Sequence, residues 1–159
     1  MKDIKLEINM QLCSFEELSV EEQKLVELAK QATQNSYAKY SNFNVGAALL
    51  LDDGSTVIGA NQENAAFPSG LCAERAAIFA AQSQMPEKSI CMLAIAAKNV
   101  NGFMEDPISP CGACRQVMME MEDRYARNIR VLLYGTRGTL CINSVKDLLP
   151  LVFVDSNMR

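Results

Sequence analysis

Cys72 and Glu74 lie two positions apart in SGLCAERAAI, and Cys111 and Cys114 lie three apart in SPCGACRQ, directly after Pro110. Three thiols and one carboxylate form a donor set for zinc, which favours tetrahedral sulfur and nitrogen ligands. A structural zinc site is closed by four protein ligands, whereas a catalytic one keeps a position for water. Three cysteines leave that position open, with Glu74 at hand to carry protons. The chain contains no histidine, so only thiolates or carboxylates can hold a metal, and neither Ser-His-Asp nor Cys-His catalysis is available. Cys-x-x-Cys alone is shared with redox motifs and structural zinc modules. A redox reading uses Cys111 and Cys114 but leaves Cys72 and Glu74 unexplained. A structural module needs a fourth ligand, and Cys13, Cys91 and Cys141 form no second pair. Those three are expected to be packed thiols, and Met118, Met119 and Met121 to be helix packing.

Positioning these groups calls for alternating strands and helices. Ile4, Leu6 and Ile8 alternate over residues 2 to 9, which predicts a short strand, and Ser14 to Glu17 and Ser19 to Glu22 have capping-box spacing. Val20, Leu25, Val26, Leu28 and Ala29 predict a helix from Ser19 to about Asn35. Asn42 to Asp52, the turn Asp53-Gly54 and Ser55 to Ala60 predict a hairpin. The Ala-rich stretch Cys72 to Ser83 predicts a buried helix, and the apolar run Ile90 to Ala97 a central strand covered on both faces. A second such helix spans Cys111 to Tyr125, followed by strands at Ile129 to Tyr134 and Thr139 to Ile142 and a last helix at Ser144 to Leu149, stopped by Pro150. The implied fold is α/β, three layers α/β/α around a mixed sheet of about five strands. Both halves of the constellation then sit at helix N-termini, where free N–H groups and the positive dipole end favour thiolate over thiol. Three thiolates give zinc a formal charge of −1 and weaken its Lewis acidity, so something nearby must withdraw charge.

At 159 residues the chain fits one domain, 1–159, in which residues 1–20 are an N-terminal extension. A composition of 49% hydrophobic and 21% charged residues is that of a globular protein, and no apolar run reaches the roughly 18 residues of a membrane span. The charged, interrupted N-terminus does not read as a signal peptide, which points to the cytoplasm, where six cysteines are metal ligands, catalytic groups or core residues rather than disulfides. A net charge of −4 argues against an electrostatic grip on nucleic acid.

The order of YSNFNVGAALL, NQENAAFPSGLCAERAAI, SPCGACRQVMME and LLPLVF, from about Tyr40 to Phe153, resembles the small homotetrameric, three-cysteine cytidine deaminases of the cytidine/deoxycytidylate deaminase family. Their signature is the Cys₃ variant of a zinc deaminase motif pairing Cys-x-Glu with Pro-Cys-x-x-Cys. The resemblance implies hydrolytic deamination of cytidine and 2′-deoxycytidine in pyrimidine salvage, with one Zn²⁺ per chain on Cys72, Cys111 and Cys114 and with Glu74 as proton shuttle. It implies that Arg75 donates to the cysteine sulfurs and draws charge off the metal. Asn61 and Glu63 take the pair that binds the ribose hydroxyls, Phe43 the aromatic that packs on the nucleoside, Ala73 a further substrate contact, and Phe153 a residue reaching a neighbouring subunit's site. The implied partners are a free nucleoside and copies of the same chain in a homotetramer, with no nucleic acid and no membrane. Asn44 stands where a Pro is common, Gln62 where a branched aliphatic is usual and Phe67 where a Tyr is frequent, and VDSNMR lacks the usual tail. A related deaminase of a cytosine-containing antibiotic or modified nucleoside shares the same two motifs.

Overall fold

The computed structural model describes residues 1–159. In chain order the strands are β1 (Met10–Cys13), β2 (Asn44–Leu51), β3 (Thr56–Ala60), β4 (Ile90–Asn99), β5 (Gly102–Phe103), β6 (Arg130–Gly135) and β7 (Gly138–Ile142), and the helices are α1 (Val20–Ala32), α2 (Ala73–Gln84) and α3 (Gly112–Tyr125). The strands form one mixed sheet in the order β1-β7-β6-β4-β2-β3, with β5 paired to β4. β4 and β6 run parallel and every other pair antiparallel.

Strand alternation divides the apolar side chains between two cores. Ala47, Leu49 and Leu51 of β2, Leu93 and Ile95 of β4 and Val131 and Leu133 of β6 face α2 and α3. The intervening Ala48, Leu50, Ala94, Ala96 and Leu132 face Leu25, Val26 and Ala29 of α1. A strand covered on both faces needs a continuous apolar run, and β2 and β4 have one. The methionines of α3 lie in the first core, and Cys141 is buried in the second.

Local signals account for the helix ends. Ser19 accepts from the Glu22 N–H while the Glu22 carboxylate accepts from the Ser19 N–H, a capping box at the start of α1, and on a short 3₁₀ turn before it the Glu17 carboxylate accepts from the Ser14 N–H. Glu22 also pairs with Arg130 at the start of β6, tying the first turn of α1 to the sheet. The buried carboxylate of Glu122 accepts from the N–H groups of Ile129 and Val145 and from the Ser144 hydroxyl, fixing the end of α3 against β6 and the chain after β7.

Three expectations require correction. The sheet has seven strands, not about five. The N-terminal strand lies at Met10–Cys13 rather than over residues 2 to 9, because β7 offers partners only from Thr139 to Ile142. The segment after Ser144 is a single 3₁₀ turn, Val145–Asp147, and not a helix to Leu149. Pro150 disfavours helical backbone in the residue before it and contributes no N–H, so so short a segment does not propagate.

Candidate active site and metal centre

Cys72 is the N-cap of α2 and Cys111 the N-cap of α3, each in extended backbone, and their carbonyls accept the first helical bonds from Ala76 and Arg115. Cys114 lies in the first turn of α3 and Glu74 in the first turn of α2. The close seating of α2 on the sheet depends on Gly59 of β3. A Cβ there would lie 2.5 Å from both the Ala73 carbonyl oxygen and the Ala77 nitrogen. Gly135 of β6 makes room for the chain that leads to α3. A Cβ would lie 2.5 Å from the Glu105 oxygen and 2.8 Å from the Pro107 nitrogen, so the absence of a side chain lets residues 105–107 cross the end of β6 on the way to Cys111.

These two helix starts bring the three sulfurs within 4.8 Å of one another. Cys72 and Cys111 are 3.8 Å apart, Cys111 and Cys114 3.5 Å. Tetrahedral zinc with bonds of about 2.3 Å holds its sulfurs about 3.8 Å apart, whereas a disulfide needs about 2.05 Å. The donor set therefore fits zinc. Cys114 is buried, Cys72 half-buried and Cys111 exposed, so the cluster is open to solvent at Cys111.

Charge is already organised around the sulfurs. The Cys72 thiol is lowered to about 5, first by the hydrogen bond from Cys114, against the cost of burial, and then by Arg75 and Cys111. Cys114, as the donor to Cys72, is pushed upward. Arg75 Nη2 lies 3.5 Å from Cys72 Sγ, while its buried Nε has no partner. Glu74 is only 4% exposed. Burial raises its carboxyl above the ordinary value and the charge on Cys72 adds to the rise, against hydrogen bonds from its own N–H and from Cys114.

A cavity of about 310 Å³ opens over the cluster, lined by Phe43, Asn61, Glu63, Cys72, Ala73, Glu74 and Cys111 together with Ser41, Val45, Ile95, Ile108 and Ser109. A second hollow of about 390 Å³, sharing Asn61, Glu63 and Cys72, extends from it past Tyr40, Gln62 and Phe67. Asn61 braces the segment that carries Phe43, accepting from the Val45 N–H at 2.8 Å and donating to the Phe43 carbonyl at 2.9 Å. The Glu63 carboxylate accepts from the Tyr40 N–H at 2.7 Å, the Ser41 N–H at 3.2 Å and the Ser41 hydroxyl. The Ser41 hydroxyl and then the Tyr40 N–H hold the Glu63 carboxyl below its ordinary range.

Phe153 does not line this cavity. Its side chain is 58% exposed, and its carbonyl accepts from Gln116 of α3. Sequence reasoning also passed over Ser41, Val45, Ile95, Ile108 and Ser109. Ser109 carried a usable signal, since it precedes Pro110 and is thereby restricted to extended backbone beside the first Cys of the pair. Val45 and Ile95 look like any other core residue in a strand.

The family profile described as the cytidine and deoxycytidylate deaminase zinc-binding region matches residues 19–127. The chain belongs to the cytidine and deoxycytidylate deaminase family, and zinc is its cofactor. A cytidine deaminase from Halalkalibacterium halodurans is 39% identical over 140 residues, covering 88% of this chain and 99% of that protein. Among solved structures, the cytidine deaminase from Burkholderia pseudomallei superposes with a TM-score of 0.70 at 40% identity, over 82% of this chain and 97% of that one. The Mycobacterium tuberculosis cytidine deaminase gives 0.66 at 32%, over 86% and 99%.

Proposed function

We propose that this protein is a zinc-dependent cytidine deaminase, converting cytidine and 2′-deoxycytidine to uridine and 2′-deoxyuridine with release of ammonia in pyrimidine salvage. The observation that carries the reading is the buried Glu74 beside three sulfurs at zinc-binding separations, on the floor of a cavity of nucleoside size. Cys72, Cys111 and Cys114 hold the ion. When bound, zinc supplies Lewis acidity that activates the attacking water. Water and cytidine enter, and uridine and ammonia leave.

Glu74 handles the protons. As a carboxylate it accepts the first proton of the water that adds at C4 and passes it to the ring nitrogen, then takes the second from the hydroxyl so formed on C4 and passes it to the departing amine, so that both protons of the water are accounted for and the carboxylate is restored. Burial raises its carboxyl above the ordinary value, the direction that a group returning protons needs. Arg75, directed at Cys72 Sγ, withdraws charge from the sulfurs and offsets the poor electrophilicity of a three-thiolate site. Phe43 packs against the base and sugar, Ala73 forms part of the wall, and Asn61 and Glu63 hold the ribose hydroxyls while they fix the turn at residues 40–45.

The substrate is a free nucleoside, and the chain works in the cytoplasm as a homotetramer of single-domain subunits. Leu151 and Phe153, 91% and 58% exposed, support the assembly, because an apolar tail of this kind is better covered by a neighbour, whose site Phe153 would complete. No helix is long and apolar enough to cross a membrane. Ammonia release is the direct test: the zinc-loaded protein should liberate one equivalent from cytidine and deoxycytidine, and an inert zinc-loaded protein refutes the reading.

A further inference from the structure

Residues Met1 to Asn9 precede the region matched by the family profile, and none of them takes part in a backbone hydrogen bond. Lys2, Asp3, Lys5 and Glu7 are in no ion pair. Yet the segment has a strand's alternation, with Ile4, Leu6 and Ile8 running in phase with Met10 and Leu12 of β1. All five are exposed, from 46% at Ile8 to 81% at Ile4. Through β1 the segment continues the edge strand of the sheet, whose outer side has no partner.

Edges meant to stay free are guarded by Pro, by bulges or by charges pointing inward. This segment has no Pro, and its charges follow another order. If two copies of residues 2–10 lie antiparallel about a two-fold axis through Leu6, Lys5 of each faces Glu7 of the other. Ile4 then faces Ile8, Leu6 faces Leu6, and Asp3 faces the neutral Asn9. Opposite charges directly across a strand pair attract and like charges repel. Lys2 faces Met10, so no position sets like charges opposite one another, and of the registers free of such clashes this one keeps Ile4, Leu6 and Ile8 all within the pairing, the self-complementarity that a two-fold interface requires. The apolar face also continues past the strand, because Leu6 and Ile8 border a hollow with Pro150, Leu151 and Val152, where Leu151 is 91% exposed.

We propose that the N-terminal segment is an interaction strand whose partner is the same segment of a second copy, joined antiparallel about Leu6 through paired Lys5–Glu7 contacts and a shared Ile4–Leu6–Ile8 face. Residues on the axis face themselves with Cα atoms about 4.5–5.5 Å apart, within disulfide reach, whereas residue 4 lies about 14 Å from its own copy.

Register and charge provide the test on the full-length, zinc-loaded protein under mild oxidation. Leu6→Cys should form a disulfide-linked dimer, Ile4→Cys alone should not, and Ile4→Cys mixed with Ile8→Cys should form the mixed dimer. In sedimentation, Lys5→Glu and Glu7→Lys should each weaken this association by roughly tenfold, through two like-charge pairs per interface. Mixing the two variants should restore it, because each chain then faces its opposite. These residues are exposed and line neither hollow at the sulfurs, so folding and turnover should not change. Absence of the Leu6→Cys dimer, or a mixture no better associated than either variant alone, overturns the proposal and leaves the segment to its own C-terminal tail or to another partner.

Discussion

Glu74 shows how much one position can ask of its surroundings. A carboxyl in the role proposed for Glu74, both taking and giving protons, needs burial to lift its affinity for a proton, and at 4% exposure beside Cys72 it has that burial. Glu74→Gln keeps the shape and removes the titration. It is expected to retain one zinc per chain while turnover of cytidine falls by at least about 10²–10⁴-fold. Metal analysis beside kcat checks this, and near wild-type turnover would remove Glu74 from the chemistry. The constellation was legible in the sequence because metal ligation constrains residue type and spacing together, as Cys72-x-Glu74 and Cys111-x-x-Cys114 show. The walls were less so. Val45 and Ile95 line the cavity while belonging to strands β2 and β4, and nothing in a strand's alternation marks which core residue meets a ligand. Asn61 and Glu63 were found through the motif around them. Their bonds to Phe43, Val45, Tyr40 and Ser41 were not foreseeable, since they depend on how two distant loops meet.

At the scale of elements, the site is a pair of helix N-termini held at a fixed spacing by the sheet. Gly59→Ala tests that coupling. Its new methyl would overlap the backbone of α2 at Ala73 and Ala77, one residue from Cys72, and α2 cannot give way without moving Cys72 and Glu74. A loss of about 1–3 kcal/mol in stability is expected, with weaker zinc binding alongside it. Denaturant midpoints and a zinc-chelator titration measure the two, and unchanged zinc affinity would show the sheet contact to be irrelevant to the site. The Glu22–Arg130 pair tests the anchoring of α1. Burial opposes the charge on Glu22, but the Ser19 N–H and the Arg130 guanidinium outweigh it and hold the carboxyl below its ordinary value. A lowered carboxyl stabilises the fold above its unfolded value and loses that contribution as pH falls through the folded one. Glu22→Gln should therefore be less stable by about 1–2 kcal/mol at neutral pH, and the difference should close as pH falls below about 4.5. A difference constant across that range would assign the effect to packing. The elements named from sequence fell within a few residues of their observed ends where a cap or a Gly turn marked them, as at Ser19 and Asp53-Gly54. β5, two residues long, carries no periodicity to read, and β1 was misplaced because the length of its partner β7, not its own pattern, decides where pairing starts.

For the molecule as a whole, the distribution of charge bears on which substrate the proposed site is expected to accept. The chain is acidic at −4, and no Lys or Arg lines the cavity over the sulfurs or the hollow beside it. Glu63 borders both, with its carboxyl held below the ordinary range by Ser41 and Tyr40, so it is ionised at neutral pH. A nucleoside brings no charge to this wall. A 5′-phosphate brings nearly two, with no glycine-rich loop to receive it and a carboxylate near the sugar, and a polynucleotide adds a backbone that needs cationic partners. Cytidine and deoxycytidine should therefore be turned over with kcat/KM at least about tenfold above that for CMP, and a cytosine-containing single strand should not compete. The discrimination should narrow at higher ionic strength, since screening weakens like-charge repulsion at a partly open site. Glu63→Gln separates charge from shape, because the amide oxygen can still accept from the Tyr40 N–H. It should lower kcat/KM for cytidine through a lost sugar contact while reducing the penalty against CMP. Steady-state kinetics on the three substrates at two salt concentrations decide the matter, and a CMP preference, or a Glu63→Gln variant with an unchanged CMP-to-cytidine ratio, would place the selectivity elsewhere than in this carboxylate.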